Sequence, residues 1–130
     1  MTILQPPGWP RPKGFSCGVS TAGTMIFVSG QIGWDEHGRF PAADIAGQVR
    51  QALRNVVTVL AEAGARPEHV VRLTWYVTDK REYLAAQREI GEAYREVMGR
   101  HFPAMSVVAV AALLEDEANV EIEATAVIAL

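Results

Sequence analysis

The spacing of apolar residues changes along the chain, and these changes predict where strands and helices lie. Two short apolar runs, residues 15–20 and 24–29, flank a link that ends in Gly23, a pattern typical of a β-hairpin. Ahead of them, residues 1–14 carry four prolines, which lack a backbone donor. That segment is therefore expected to be an extended arm rather than a helix or a central strand.

Two longer segments follow the period of an α-helix. Between residues 45 and 63, apolar side chains recur at helical spacing, and Asp44 stands where it can cap the first turn. A second apolar stripe runs over residues 83–98, behind a capping-box pattern at residues 79–82. A glycine follows each segment, which favours termination of the helix there.

Three further runs predict strands. Residues 70–77 alternate between apolar and more polar positions, as a strand with one buried face does. Residues 106–113 carry Val or Ala on both faces, so this strand is expected to be buried on both sides. The chain's own helices can cover one side, and the other side then requires a second subunit. The last run, residues 120–127, alternates again and contains Glu121 and Glu123.

These segments give the order β-β-α-β-α-β-β, which predicts an α+β fold in a single domain of residues 1–130. Short connections and right-handed crossovers place both helices on one face of one mixed sheet. The opposite face is expected to carry polar side chains from two strands: Arg72, Thr74, Tyr76, Glu121, Glu123 and Thr125.

Composition narrows the classes of function. A net charge of −3 without a basic stripe argues against a nucleic-acid binder. The single cysteine, Cys17, excludes an intramolecular disulfide and a cysteine-cluster metal site, and it is typical of a reducing compartment. The N-terminus lacks the pattern of a signal peptide, and no apolar run reaches the ~18 residues of a membrane span. We therefore expect a cytoplasmic protein that binds neither nucleic acid nor membrane.

Five segments stand out as a set, in this order: FVSGQIGWD, QVRQALRNVVTVLAEAGA, VVRLTWYVTD, HFPAMSVV and VEIEATAV. With these segments the chain resembles the RidA/YjgF family over about residues 15–127. The resemblance implies a chorismate-mutase-like α+β fold and a homotrimer with three clefts between subunits. It also implies hydrolysis of reactive imines or enamines to a keto acid and ammonia, without a metal or an organic cofactor.

Four positions of the family pattern are kept, Ser29, Gly30, Asn55 and Glu121, and all but Asn55 are candidate site residues. Glu121 matches the glutamate of the closing strand and is the candidate catalytic residue, which would orient the attacking water. Ser29 and Gly30 match positions that would hold the polar end of the substrate, Gly30 by allowing close approach of the backbone. An equally weighted alternative makes Glu121 the partner of Arg72 across a subunit interface. Arg72 is also a candidate anchor for a substrate carboxylate, although a structural salt bridge is favoured for it.

Four site positions depart from the family pattern. Met105 stands where active members carry an arginine directly after Pro-Ala, and that guanidinium pairs with the substrate carboxylate through two hydrogen bonds. Val107 stands for a cysteine, and Phe15 for a tyrosine. The position of an asparagine falls near Gln87 or Arg88. Phe15, Gln87, Met105 and Val107 are expected to line the cleft and to bind the substrate.

Two hypotheses from different classes follow. The first is a hydrolase of an imine, an enamine or a related amino compound other than a simple 2-imino acid, because Met105 cannot bind a carboxylate as arginine does. The second is a non-catalytic ligand-binding or regulatory trimer of the same family. An endoribonuclease, a third activity attached to the family, is disfavoured by the acidic balance and by the lack of basic residues interleaved with aromatic ones. The three histidines have no metal-ligand spacing.

Overall fold

The computed structural model describes all 130 residues of the chain. Its strands are β1 (Thr2–Leu4), β2 (Gly18–Ser20), β3 (Thr24–Ile32), β4 (Val70–Val77), β5 (Ala104–Ala109) and β6 (Val120–Ile128). Its helices are α1 (Ile45–Glu62), α2 (Lys80–Ala85) and α3 (Gln87–Met98). A short 3₁₀ turn, Pro67–His69, leads directly into β4.

Four strands form one mixed sheet in the order β3-β6-β4-β5. β6 runs antiparallel to both β3 and β4, whereas β4 and β5 are parallel and need a crossover, which α2 and α3 supply. α1 and α3 pack together and cover one face of the sheet. The predicted α+β fold, with its helices on one face of a mixed sheet, is confirmed. No helix is both long and apolar enough to cross a membrane.

The core fills the space between the sheet and these helices. Val49, Leu53 and Val56 of α1 are fully buried, and they share one apolar cluster with Leu73 of β4 and Ile122 of β6. Each such side chain stabilises the fold by about 1.5–3 kcal/mol relative to an exposed position. Side chains alternate between the two faces along β4 and β6, and the inward-facing ones form the sheet side of this cluster, as the sequence pattern predicts.

Capping fixes the ends of α1 where the sequence indicates. The carboxylate of Asp44 accepts a hydrogen bond from the backbone N–H of Gly47 at 3.0 Å. At the other end Gly64 has a φ of 72°, a left-handed conformation that glycine adopts without steric cost. The helix therefore ends one residue earlier than its apolar stripe, at Glu62.

The predicted hairpin between residues 15–20 and 24–29 is wrong. β2 pairs antiparallel with β1, whereas β3 pairs with β6. In the link between them Gly23 has a φ of 148°, which is far from the left-handed values that tight hairpin turns require. The chain therefore passes from one sheet to the other instead of reversing. The arm forms no helix, as predicted, but it is not extended throughout, because it turns where the N–H of Trp9 donates to the carbonyl of Pro6. Its first residues form β1, a strand that was not predicted.

Two other elements differ from their predicted bounds. The second helix is interrupted at Ala86, whose φ of −106° and ψ of 18° leave the helical region, so α2 and α3 replace one helix. The strand predicted over residues 106–113 instead ends at Ala109, because its partner β4 ends at Val77 in that register. Burial on both sides is not seen within one chain, since Val108 is 44% exposed. Cover by a second subunit stays a prediction.

A buried glutamine ties α1 to the loop ahead of β6. Gln48 is 1% exposed, and its amide group donates to the carbonyls of Ala42 (3.2 Å) and Glu117 (2.9 Å). Its side-chain oxygen accepts from the N–H of Asn119 at 2.9 Å. Gly33 permits this packing, because a Cβ there would lie 2.8 Å from the Cβ of Gln48. Gln48 thus helps to position the entry of β6 into the sheet.

Gln48→Leu should lower the free energy of unfolding by about 2–4 kcal/mol, because three backbone groups lose their partner in a buried setting. Urea denaturation measures the change. Glu62→Ala, an exposed substitution at the end of the same helix, is the control and should stay within about 0.5 kcal/mol. Equal denaturation midpoints for Gln48→Leu and the wild type would contradict the role assigned to this side chain.

Candidate functional site

The predicted site residues fall into two groups on opposite faces of the sheet. One group lines a cavity of about 420 Å³ on the helix-covered side: Phe15, Gln87, Met105 and Val107. The other group lies on the outer face, the side without helices: Ser29, Gly30, Arg72 and Glu121. A single chain therefore does not bring the two groups together.

Ser16, which follows the proline-rich arm, binds the chain to the start of β5 through two hydrogen bonds. The N–H of Ser16 donates to the carbonyl of Pro103 at 3.0 Å, and its hydroxyl donates to the carbonyl of Phe102 at 2.5 Å. Ser16 also forms a parallel bridge with Ala104. These bonds hold the preceding residue, Phe15, in the wall of the cavity.

Strand register brings Met105 and Val107 into the same cavity. Both stand opposite buried residues of β4 in the parallel pair, so their side chains point to the helix-covered side. Gln87 approaches from the first turn of α3, where its amide group donates to the carbonyl of Tyr83 at 3.2 Å. The four predicted substrate-binding side chains on this face thus share one cavity.

Stacked rings form one wall of this cavity, which we call the aromatic cavity. Tyr94 stacks on Trp75 with 6.3 Å between ring centroids, and on Phe102 with 5.4 Å. Tyr83 meets Trp75 edge-on at 6.5 Å. The hydroxyl of Tyr94 donates to the carbonyl of His101. Burial raises the pKa of Tyr94 well above its ordinary value, so the hydroxyl stays protonated.

One donor in this wall has no partner. Trp75 is 3% exposed, and its Nε1–H finds no acceptor in the chain. A buried donor left without a partner costs about 1–3 kcal/mol. Trp75 therefore contributes ring surface to the aromatic cavity, while its indole N–H stays buried and unpaired.

On the outer face, Ser29 and Gly30 lie in a β-bulge. The register of β3 against β6 shifts between Val28 and Gln31, so the two residues between them are unpaired. Gly30 lies against the carboxylate of Glu121, and a Cβ at Gly30 would lie 2.6 Å from the Cδ of Glu121. The half-buried carboxylate thus requires glycine at position 30.

The rest of the outer face holds one polar pair and one cation. The hydroxyl of Tyr76 donates to Oε1 of Glu123 at 2.7 Å, and this hydrogen bond raises the pKa of Tyr76. Arg72 is exposed and makes no ion pair within the chain. Pairing of Arg72 with Glu121 therefore needs a second subunit and stays a prediction.

Sequence reasoning missed two cations in the aromatic cavity, Lys13 and Arg95. Arg95 folds back over the preceding turn of α3, where its Nη1 lies 3.3 Å from the position of a Cβ on Gly91. Glycine inside a helix costs about 1 kcal/mol relative to alanine, so Gly91 was the available signal in the sequence. No group of three or more His, Cys, Asp or Glu side chains is arranged to hold a metal ion.

Known proteins of similar sequence cover most of the chain. A family model described as Endoribonuclease L-PSP matches residues 10–128. The 2-iminobutanoate/2-iminopropanoate deaminase of Salmonella typhimurium is 37% identical over 105 residues, which cover 81% of this chain and 80% of that protein. A RutC family protein of Pasteurella multocida is also 37% identical over 105 residues, 81% of each chain.

Solved structures of similar fold extend over nearly the whole chain. YyfB of Yersinia pestis, a protein of unknown function from the conserved Rid family, matches with a TM-score of 0.86 and 32% identity, covering 98% of each chain. Escherichia coli TdcF with bound serine matches with a TM-score of 0.70 and 33% identity, covering 99% of this chain and 100% of the other. Both groups of site residues lie within these matches.

Tyr94→Phe should lose less stability in alkaline solution than the wild-type protein does. In the unfolded chain the hydroxyl ionises near pH 10, whereas burial raises its pKa in the folded state. The stability that this group contributes is complete below about pH 10 and falls as the pH rises further, because the unfolded state loses the proton first. Between about pH 8 and pH 10.5 the melting temperature should fall more for the wild type than for Tyr94→Phe. Equal falls would contradict this assignment.

Proposed function

Because the chain belongs to the RidA/YjgF family, we propose that it is a small-molecule hydrolase that deaminates an imine, an enamine or a related amino compound other than a simple 2-imino acid. The observation that carries the proposal is the placement of Glu121, whose carboxylate lies against Gly30 at the bulge of the outer face. The name of the relative from Salmonella typhimurium, a deaminase of 2-iminobutanoate and 2-iminopropanoate, supports the class of reaction.

We infer a homotrimer with substrate clefts between its subunits. The aromatic cavity of one subunit would meet the outer face of the next, so that one substrate touches both groups of site residues. Large apolar side chains on the outer face support this contact, since Phe27 is 71% and Met25 58% exposed. The exposed, unpaired thiol of Cys17 fits the reducing cytoplasm in which we place the protein.

Glu121 is the general base of the proposed reaction. It takes a proton from water as the oxygen attacks the iminium carbon, so a C–O bond forms and the π electrons move to nitrogen. The proton then passes to that nitrogen, the remaining C–N bond breaks, and the hydroxyl gives its proton to the departing ammonia as it becomes a carbonyl. One iminium ion and one water give one carbonyl compound and one ammonium ion. The polar end of the substrate is held by Ser29 and the backbone at Gly30.

The substrate class follows from the side chain at position 105. The carboxylate of a simple 2-imino acid is attached to the reacting carbon, so its anchor must lie beside the site of attack. The thioether of Met105 offers no N–H donor, whereas a guanidinium offers two in the geometry of a carboxylate. A substrate without a carboxylate next to the C=N carbon suits this cavity better.

The second candidate function is a ligand-binding or regulatory trimer without turnover. It is favoured by the side chains in the aromatic cavity, where Met105, Val107 and Phe15 stand for an arginine, a cysteine and a tyrosine of the family pattern. This candidate predicts that ligands bind and no ammonia is released.

Turnover of 2-aminoacrylate and other simple 2-imino acids should be weak. Loss of a bidentate, charge-assisted contact costs about 2–4 kcal/mol, or ~30- to 1,000-fold in rate. Imines generated in the assay by an amino-acid oxidase, with release of ammonia followed over time, measure this activity. Met105→Arg should raise it, and Met105→Leu, which is similar in size and has no donor, should not. Fast turnover by the wild type would contradict the proposed substrate class.

Glu121→Gln should abolish turnover of a substrate found by screening imines and amino-dienoates for ammonia release. Glutamine keeps the shape and a hydrogen bond but is not a base, so the oligomer and its melting temperature should stay nearly unchanged. Gly30→Ala should also lower the rate, because its Cβ displaces the Glu121 carboxylate. Glu123→Gln, on the same face of the same strand, is the control and should retain activity.

The alternative role of Glu121 gives the opposite result. If its carboxylate pairs with Arg72 of a neighbouring subunit, Glu121→Gln leaves a guanidinium without its counter-charge. An unchanged rate together with a lower melting temperature would assign Glu121 to that ion pair and would remove it from the mechanism.

A further inference from the structure

The aromatic cavity has a charge that the proposed reaction does not use. Its lining includes two cations, Lys13 and Arg95, and neither an aspartate nor a glutamate. Neither cation makes an ion pair within the chain. The remaining walls are mostly apolar or aromatic, so the cavity suits a ligand with an apolar body and an anionic group.

Arg95 is positioned by its own helix and is not neutralised there. The missing side chain of Gly91 gives the guanidinium room to lie along α3, with Nη1 3.3 Å from the Cβ position of that glycine. The nearby carboxylates of α3 are engaged elsewhere, because Glu92 and Glu96 pair with other arginines. The guanidinium therefore keeps its donors for a ligand in the cavity.

The aromatic wall of the cavity favours a planar ligand. Tyr94 stands between Trp75 and Phe102 in a stack with interplanar angles of 25° and 15°, which presents flat rings in a fixed arrangement. The indole N–H of Trp75 is buried, so this wall offers ring surface rather than a hydrogen-bond donor. A flat, unsaturated body suits a cavity walled by such rings, whereas its anionic group needs the two cations.

We propose that the aromatic cavity binds a planar, unsaturated or aromatic carboxylate, with Arg95 as the partner of the carboxylate and Lys13 as a second cation. Arg95 thereby supplies from α3 the anchor that position 105 on β5 lacks. The carboxylate is then held by a different element from the one that carries Met105, and it is separated from the reacting carbon by an unsaturated body. The substrate class, an imine or enamine of an unsaturated acid, rests on the proposed function, whereas the binding site does not.

Calorimetric titration of the wild-type protein with trans-cinnamate tests the binding site. Cinnamate should bind, and cinnamamide, which lacks the charge, should bind at least about tenfold more weakly. Hexanoate, which has the charge but not the planar body, should also bind more weakly. With Trp9 and Trp34 replaced by Phe, Trp75 is the only indole of the original three, and its fluorescence should change as cinnamate binds.

Variants assign the anchor to one side chain. Arg95→Ala should weaken cinnamate binding by about 10- to 100-fold, and Arg95→Lys should recover part of the loss. Arg81→Ala removes an arginine of α2 that neither lines the cavity nor pairs with a carboxylate, so its affinity should equal that of the wild type. Equal losses in Arg95→Ala and Arg81→Ala, equal affinity for cinnamate and cinnamamide, or no binding of cinnamate would each overturn the proposal.

Release of ammonia separates this inference from the proposed function. If cinnamate binds through Arg95 but no imine or enamine is hydrolysed, the site stands and the hydrolase proposal fails. If imines are hydrolysed and Arg95→Ala changes neither their turnover nor the binding of cinnamate, the hydrolase proposal stands and the Arg95 site is overturned.

Discussion

The alternation of side chains along β6 constrains the whole site. Because successive residues point to opposite faces, Ile122 and Ala124 fill the core while Glu121 and Glu123 face away from the helices. β6 has a partner on each edge, so a slip of one residue would bury the carboxylates and expose the core. The direction of Glu121 is therefore fixed by the packing of apolar residues on the other side of the sheet.

The same constraint divides the candidate site by function. Residues that match the family pattern, Ser29, Gly30 and Glu121, lie together on the outer face. Residues that depart from it, such as Met105 and Val107, lie together in the aromatic cavity. The half that would carry water attack is thus kept, whereas the half that would bind the body of the substrate has changed. This division agrees with one reaction class applied to a different ligand.

The sequence predicts an element's bounds correctly where they depend only on local features, such as the alternation of side chains or a helix cap. The bounds of β4 follow from its period of two, and the start of α1 follows from Asp44. The hairpin failed because β2 pairs with the preceding strand β1, and because β3 pairs with β6, which lies near the other end of the chain. The break at Ala86 has no counterpart in the apolar stripe, since both helices continue it.

The candidate site was predicted less completely than the fold, because part of it joins segments that are distant in the sequence. A strand position such as Glu121 could be assigned to a face by parity alone, and the structure places it there. The cavity instead joins the arm, α3 and β5, and no periodicity links those segments. Arg95 lines it and lies against Gly91 of the preceding turn, a combination that becomes meaningful once the fold is known.

The central claim is that one site needs two copies of this chain, and the mass of the protein in solution tests it most directly. Light scattering at micromolar concentration should give three times the 14.2 kDa mass of one chain. Phe27→Asp, which places a charge on the exposed apolar part of the outer face, should lower that mass and keep the helical circular dichroism signal. A wild-type protein that scatters as a single chain would contradict the claim.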